Sequence, residues 1–90
     1  MPVGVSVVIP ALNEAESIGV VVRSMPWDQI DECIVVDNGS TDGTATVAVE
    51  AGARVVTAPR GYGSTMAAGK AAVSPTCTVI VMMDLSLIHI

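Results

Sequence analysis

Four short runs rich in Val and Ile recur along this chain, and segments of helix length separate them. The runs are Val5–Pro10, Glu32–Asp37, Arg54–Thr57 and Cys77–Asp84. Apolar runs of this length without polar alternation are typical of parallel strands buried on both faces. Parallel neighbours need crossover connections, so the pattern predicts a β-α-β-α-β-α-β chain: an α/β domain with one parallel sheet and helices on both faces.

The connecting segments carry helix signals. The first helix opens at Asn13, where Glu16 three residues on completes a capping-box pattern, and it stops at Pro26. The two later helices are predicted at Gly43–Ala51, followed by a glycine stop, and at Ser64–Val73. Because the connections are short, the crossovers should be right-handed.

Three acidic residues stand just beyond predicted strands: Glu14, Asp37 and Asp84. We expect the strand order 3-2-1-4, which brings the C-terminal ends of strands 1, 2 and 4 to one edge. Ligands of open parallel sheets bind at that edge. Carboxylates there accept hydrogen bonds from nucleoside hydroxyl or base N–H groups, whereas Glu14 alone is equally explained by the helix dipole.

Composition excludes several classes of protein. With 90 residues the chain has room for one domain, and 51% hydrophobic against 14% charged residues excludes intrinsic disorder. The net charge is −5 with four basic residues, so no nucleic-acid partner is expected. Cys33, Cys77 and the single His89 form no zinc pattern, and buried thiols in a reducing compartment are expected. With no signal peptide and no membrane-span-length apolar run, we expect a cytoplasmic chain.

The first loop lacks the glycines of the common nucleotide-binding motifs. Neither G-x-G-x-x-G nor a P-loop follows the first strand, which reads Pro10-Ala11-Leu12-Asn13-Glu14. A later Gly61-x-Gly63 follows the third strand, but Met66 stands where a third glycine belongs. A dinucleotide domain of the usual kind is therefore not indicated.

Two longer motifs carry a resemblance. Val7–Glu14 (VVIPALNE) and Val35–Thr44 (VVDNGSTDGT), followed by Asp84 at a strand end, resemble the start of the inverting family 2 glycosyltransferases. The dolichyl- and polyprenyl-phosphate sugar transferases share this pattern. The resemblance covers residues 5–84 and implies the N-terminal half of a GT-A fold, the Rossmann-like fold of nucleotide-diphospho-sugar transferases.

The resemblance also implies a nucleotide site. Its residues are Pro10, Ala11 and Glu14 in the first loop, Asp37 and Asn38 after the second strand, and Arg60 and Lys70 beside the glycine loop. Asn38 stands where the family often has a second Asp, so base recognition is expected to differ. Arg60 faces either the diphosphate or solvent. For the Ser40–Gly43 turn, helix capping is favoured over ligand contact.

Asp84 matches the first acid of the family's D-x-D motif, which holds Mg²⁺ or Mn²⁺ against the nucleotide diphosphate. Ser86 stands at the second acidic position, which puts metal binding by this chain in doubt. The catalytic base of the family lies downstream. No catalytic residue is therefore assigned, and the 90-residue chain is expected to be inactive by itself.

The last six residues, Leu85–Ile90, look foreign to the fold. They follow a strand that has already ended at an acid and contain no turn signal. One possible encoding, CTG TCT CTT ATA CAC ATC, matches a transposase end sequence used to prepare sequencing libraries; the alternative is an ordinary continuation of the strand. We expect a truncated domain at residues 1–84 and an adaptor-derived tail at 85–90.

The sequence thus indicates the N-terminal fragment of an inverting glycosyltransferase that takes a nucleotide-diphosphate sugar. Polyprenyl phosphate is one expected acceptor, which would place the protein in the cytoplasm or peripherally at the inner face of the membrane. Two alternatives stay open: a nucleotidyltransferase, and a non-catalytic flavodoxin-like binding module. A nucleotidyltransferase would need a Gly- and Arg-rich loop after the first strand, which Ala11–Glu14 does not provide. A flavodoxin-like module would use Asp37 and Asp84 as an acidic pocket.

Overall fold

The computed structural model describes residues 4–59, 62–73 and 79–83. Their elements are β1 (Val5–Ala11), α1 (Ala15–Arg23), β2 (Glu32–Asp37), α2 (Thr44–Ala51), β3 (Arg54–Thr57), α3 (Tyr62–Ala72) and β4 (Val79–Met82). The predicted alternation of strands and helices is confirmed. The suspected tail and Cys77 lie outside the described residues.

The four strands form one parallel sheet in the order β3-β2-β1-β4, as predicted. β1 and β2 lie at the centre, and their register runs from Ser6 beside Glu32 to Ala11 beside Asp37. The order reverses direction after β3, because α3 carries the chain back across the sheet to the far side of β1. Such a reversal creates a switch point between β1 and β4.

The reversal also distributes the helices over the two faces of the sheet. α1 and α2 cover one face, where alternate residues of β1 and β2 such as Ile9 and Val35 are fully buried. α3 covers the other face, packing Ala68 and Ala72 against Val8 and its neighbours in β2. The central strands are therefore buried on both sides, which is why they read as continuous apolar runs.

The end of α2 agrees with the sequence, whereas the end of α1 and the start of α3 differ from it. Gly52 ends α2 in the left-handed conformation with φ 114°, the expected glycine stop. α1 ends earlier than predicted, at Arg23 with Ser24 as its C-cap, and α3 begins earlier, at Tyr62. No helix among the described residues has the length and apolarity needed to cross a bilayer.

Cys33 lies in β2 as a buried cysteine outside any disulfide. Burial raises the pKa of its thiol to about 11, because the thiolate would lose its hydration. The thiol therefore stays protonated at neutral pH and acts as a small apolar side chain.

Gly69 sets the distance between α3 and the sheet. A Cβ atom built at this position overlaps Val8 Cγ1 and lies 3.4 Å from Val36 Cγ2. Both valines belong to the central strands, where neighbouring side chains leave little room to move. Only a residue without a side chain lets the helix approach this closely.

We expect Gly69→Ala to lower the free energy of unfolding by about 1–3 kcal/mol, because the added methyl group overpacks the contact with Val8. Denaturant unfolding of the chain measures this. A double-mutant cycle with Val8→Ala supplies the control, since the smaller residue removes the overlap. An equal effect of Gly69→Ala with and without the Val8→Ala substitution would show that the contact is not the cause.

β4 exposes apolar side chains at the edge of the sheet. Val79, Ile80 and Val81 are 42%, 40% and 39% exposed, and β1 is the strand with which β4 pairs among the described residues. A consecutive apolar run on an edge strand favours association with another chain, because both its side chains and its backbone groups accept a new strand.

We therefore expect the 90-residue chain to associate at micromolar concentration, and Ile80→Lys to reduce that association by placing a charge on the edge strand. Light scattering gives the mass of each species. Val49→Lys is the matched control, since Val49 is 57% exposed on α2 and away from the edge. A stable monomer of the unsubstituted chain would contradict the expectation.

Candidate functional site

The C-terminal ends of β1 and β2 lie side by side and are joined beyond the strands. Asn38 N–H donates to the carbonyl of Ala11 over 2.9 Å, and Ala58 N–H donates to the carbonyl of Asp37 over 3.0 Å. The loops that leave β1, β2 and β3 therefore start from one fixed edge. This edge is where the sequence predicts a nucleotide site.

Pro10 lies in β1 at a position that faces β4. In β1 the carbonyls of Val5 and Ala11 accept from the β2 side, whereas the carbonyls of Gly4 and Val8 accept from Val79 and Met83 on the β4 side. Position 10 therefore faces β4, where a proline has no N–H to donate. Among the described residues, the ladder to β4 reaches Val8 and Met83, and the ladder to β2 reaches Asn38. Pro10 thus removes one backbone donor from the β4 side of β1 near the switch point.

Asp37 is buried at the end of β2, with 6% of its surface exposed. Its Oδ1 accepts a hydrogen bond from Ser40 N–H over 2.9 Å, which closes the turn that follows the strand. Asp37 is therefore a loop-forming residue in this structure. Its predicted contact with a base or ribose stays a prediction.

Asn13 joins the first loop to the second, and the capping box predicted for it is wrong. Its φ is 52°, in the left-handed region, and Glu14 rather than Asn13 is the N-cap of α1. Asn13 Oδ1 accepts from Thr41 N–H over 2.8 Å, and Asn13 N–H donates to Ser40 Oγ over 2.8 Å. The side chain that was expected to cap α1 is thus used to bind the turn after β2.

The N-terminus of α1 is capped from that same turn. Asp42 Oδ2 accepts from Ala15 N–H over 3.2 Å, and Thr44 Oγ1 accepts from Glu14 N–H over 2.9 Å. Asp42 Oδ1 accepts from both the N–H and the hydroxyl of Thr44. One carboxylate therefore accepts from an amide at the start of α1 and from an amide at the start of α2. The Ser40–Gly43 turn thus has a capping role, and the expectation that it does not contact a ligand stays a prediction.

These bonds shift the pKa of Asp42. The hydroxyl of Thr44 is the largest cause, with the amides of Ala15 and Thr44 adding to it, and together they hold the pKa of the carboxyl below its usual value. The carboxylate form is therefore the one that the fold favours.

The structure gathers some of the predicted site residues and separates others. Pro10, Ala11, Glu14, Asp37 and Asn38 all lie at the C-terminal edge of β1 and β2. Glu14 is half-buried. Arg60 and Asp84 fall outside the described residues.

Lys70 lies away from this group. It is exposed in the last turn of α3, whose end is fixed near the start of β3 because Arg54 donates to the carbonyl of Ala72 over 2.9 Å. α3 runs from the C-terminal edge of the sheet back towards the N-terminal edge. The structure therefore does not bring Lys70 to the loops after β1 and β2.

A metal centre is not assembled within the described part of the chain. No three His, Cys, Asp or Glu residues there come close enough together to hold an ion. Glu14, Asp37 and Asp42 share the edge of the sheet, but Asp37 and Asp42 accept backbone hydrogen bonds. The described acids thus do not fit a metal site by themselves.

A surface depression of about 430 Å³ lies elsewhere, on the outer side of α2. It is lined by Ala45, Thr46, Val49 and Glu50. Glu50 is the one titratable residue in this lining, and the loops after β1 and β2 do not line the depression. The candidate site is therefore placed by the strand ends and not by this depression.

Sequence reasoning missed Thr44 as a member of the site. Thr44 is fully buried at the start of α2 and holds both Asp42 and the first loop. The signal was present, because Asp42 and Thr44 end the GSTDGT motif. Their spacing indicates a cap for α2, but nothing local indicates that the cap also serves α1.

A sequence profile described as Glycosyl transferase family 2 matches residues 6–86 of this chain. An uncharacterized glycosyltransferase of Mycobacterium tuberculosis is 51% identical over 78 residues, which are 84% of this chain and 35% of that protein. Glucosyl-3-phosphoglycerate synthase of Mycolicibacterium smegmatis is 54% identical over 55 residues, or 58% of this chain and 18% of that protein.

Solved structures agree with these sequence matches. Glucosyl-3-phosphoglycerate synthase from M. tuberculosis, in complex with Mn²⁺, uridine diphosphate and glucosyl-3-phosphoglycerate, matches with a TM-score of 0.79 and 36% identity, over 90% of this chain and 33% of that one. The same enzyme with Mg²⁺ and uridine diphosphate also gives 0.79 and 36%, over 90% and 32%. A mycobacterial protein gives a TM-score of 0.81 with 39% identity, over 94% and 32%. This chain therefore covers about a third of each of these solved structures.

We expect Asp42 to stabilise the fold at neutral pH and to lose this effect in acid. Its pKa is lower in the folded than in the unfolded chain, so its contribution is present above the ordinary value of 3.8 and disappears as the pH falls through the folded value. Denaturation midpoints of the unsubstituted chain and Asp42→Asn should differ at neutral pH and converge as the pH falls below the pKa of Asp42 in the folded chain. Asp28→Asn, in an exposed turn after α1, removes an equal charge as the control. A gap that stays constant with pH would contradict this role.

Proposed function

The chain belongs to glycosyl transferase family 2, and from that membership we propose that it forms the nucleotide-binding part of a longer inverting glycosyltransferase. The proposed donor is a uridine diphosphate sugar. The observation that carries this proposal is the edge formed by β1 and β2, where Pro10 leaves β1 without an amide donor towards β4, beside the loops that hold Glu14 and Asp37. Related enzymes with the same fold hold uridine diphosphate.

In this proposal the nucleoside lies across the ends of β1 and β2. Pro10 and Ala11 supply an apolar floor, since Ala11 is 2% exposed and Pro10 half-buried at the switch point. Glu14 and Asp37 accept hydrogen bonds from the base or ribose, as carboxylates do. Asn38, which follows β2, offers an amide where a second carboxylate is common in the family. The amide both donates and accepts, which suits the edge of a pyrimidine base.

The diphosphate is proposed to lie at the switch point, on the β4 side of β1. Asp84 follows β4 in the sequence and is the proposed ligand of Mn²⁺ or Mg²⁺, the ions held by the solved relatives. Such an ion neutralises the charge on a departing diphosphate. Arg60, after β3, is proposed to face the same phosphates. Neither residue belongs to the described part of the chain, so both assignments rest on the sequence motif.

The acceptor is proposed to be a small phosphorylated acid and not polyprenyl phosphate. The relatives whose names give a product are glucosyl-3-phosphoglycerate synthases, and one solved complex holds uridine diphosphate glucose with phosphoglyceric acid. No relative among those compared supports the polyprenyl phosphate acceptor that the resemblance first implied. The catalytic base and the acceptor contacts are proposed to lie in the two thirds of the enzyme beyond this chain.

The nucleotidyltransferase alternative is disfavoured by the first loop. Such an enzyme would bind phosphates with a Gly- and Arg-rich loop, but here the loop places Glu14 at the N-cap of α1 and ties Asn13 to Thr41. A flavodoxin-like module would use Asp37 in an acidic pocket. The match of residues 6–86 to glycosyl transferase family 2 disfavours such a module. Both observations support the glycosyltransferase proposal.

We expect the chain to bind uridine diphosphate, and Asp37→Asn to weaken that binding about three- to tenfold. Asparagine keeps the Oδ1 acceptor for Ser40 but removes the charge, so the turn is retained while the nucleoside contact is weakened. Equilibrium dialysis at low protein concentration gives the dissociation constants. Circular dichroism verifies that the variant is folded.

Asp31→Asn is the matched control. Asp31 lies at the N-terminal edge of the sheet, where its Oδ2 accepts from Val5 N–H, so its loss should leave nucleotide affinity unchanged. Guanosine diphosphate serves as the competing nucleotide. Equal binding of uridine and guanosine diphosphates, or no binding of either, would overturn the proposed donor.

A further inference from the structure

We infer that Asp42 and Thr44 are positioning residues for nucleoside recognition, acting from the loop after β2 on the loop after β1. This inference rests on the proposed function, because it assumes that Glu14 meets the nucleoside. It concerns residues that touch the first loop and not the ligand. The experiment below separates failure of the inference from failure of the proposed donor.

Thr44 provides the link between the two loops. Its side chain is fully buried, and its Oγ1 accepts from Glu14 N–H over 2.9 Å while donating its own proton to Asp42 Oδ1. Because one hydroxyl accepts from Glu14 N–H and donates to Asp42, the position of Glu14 N–H is coupled to the position of Asp42. The residue held in this way is the one whose carboxylate is proposed to contact the nucleoside.

Asp42 completes the link by holding the next amide. Its Oδ2 accepts from Ala15 N–H over 3.2 Å, and its Oδ1 accepts from Thr44 N–H over 3.1 Å. The carboxylate therefore holds two consecutive residues where the first loop meets α1: Ala15 directly, and Glu14 through Thr44. Charge-assisted hydrogen bonds of this kind hold geometry better than neutral ones.

Asn13 adds two hydrogen bonds between the same two loops. Its backbone N–H donates to Ser40 Oγ, and its Oδ1 accepts from Thr41 N–H, each over 2.8 Å. Consecutive residues Asn13, Glu14 and Ala15 are thus each bonded to the turn after β2. A loop fixed at three successive positions loses little conformational entropy when a ligand binds, which favours affinity.

The same bonds occupy two amides at the N-terminus of α1. Amides at a helix N-terminus ordinarily attract a phosphate, but here those of Glu14 and Ala15 are directed to Thr44 and Asp42. The carboxylate of Asp42 takes the Ala15 amide that a phosphate would otherwise contact. The phosphates of the donor are therefore not expected to bind these two amides.

The test uses a pair of variants at one position. Thr44→Val keeps the buried β-branched shape but removes the hydroxyl, whereas Thr44→Ser keeps the hydroxyl. We expect Thr44→Val to weaken the binding of uridine and of uridine diphosphate by the same factor, about three- to tenfold, and Thr44→Ser to restore affinity to within about twofold. Equal loss for both ligands locates the effect at the nucleoside and not at the phosphates.

Hydrogen exchange measured by mass spectrometry reports the loop itself. In Thr44→Val the peptide containing residues 12–15 should exchange faster, while peptides of the central strands should keep their protection. Asp42→Asn, which retains a carbonyl oxygen, should fall between the unsubstituted chain and Thr44→Val in both measurements. Inorganic phosphate should leave exchange of residues 12–15 unchanged in the unsubstituted chain.

The outcomes separate the two ideas. If the unsubstituted chain binds neither uridine nor its diphosphate, the proposed donor fails. If it binds both and Thr44→Val binds them equally well, the positioning role is wrong while the donor stands. Loss of protection in the central strands of Thr44→Val, matched by Thr44→Ser, would show a role in folding alone. Protection of residues 12–15 by phosphate would overturn the claim that Thr44 and Asp42 keep phosphate from the amides of Glu14 and Ala15.

Discussion

The pairing of β1 with β2 is the interaction on which the rest of this structure depends. Both strands are buried on both faces, and their register places Ala11 beside Asp37 at the edge where every loop of the candidate site begins. The ladder continues into the loops through Asn38 N–H and the carbonyl of Ala11. A slip of one residue would turn Asp37 to the other face of the sheet and separate Asn13 from Thr41. The register between β1 and β2 therefore determines the relative positions of the loops at the candidate site.

Much of the fold followed from the sequence because its signals are local. β-branched runs, turn residues and Gly52 each report on their own segment, and right-handed crossovers then order the strands. Asn13 shows where this reasoning failed. Its capping pattern with Glu16 is a valid local signal, but Thr41 lies 28 positions away and takes the side chain instead. Contacts across such a separation are invisible to short-range patterns.

The site was predicted in part for the same reason. The strand-end rule located Pro10, Glu14 and Asp37 at one edge, since it needs only the order of the strands. Lys70 was assigned because it follows a glycine loop in the sequence, but a helix that starts at one edge of the sheet carries its last turn towards the other. Thr44 was missed because its hydroxyl serves two loops at once. A short sequence motif does not show where the far end of a helix lies, as for Lys70. It also does not show that one side chain bonds to two loops, as for Thr44.

Pro10, the last residue but one of β1, has a consequence for the contact between β1 and β4. An amide at position 10 would point at β4, and the carbonyl of Met83 is the acceptor that the parallel ladder would offer it. Any residue other than proline could therefore add a hydrogen bond to the ladder and draw the two strands together at their ends. At this end of the sheet an absent backbone donor limits the pairing of β1 with β4. A substitution that adds no bulk could thus change the spacing of two strands beside the proposed site.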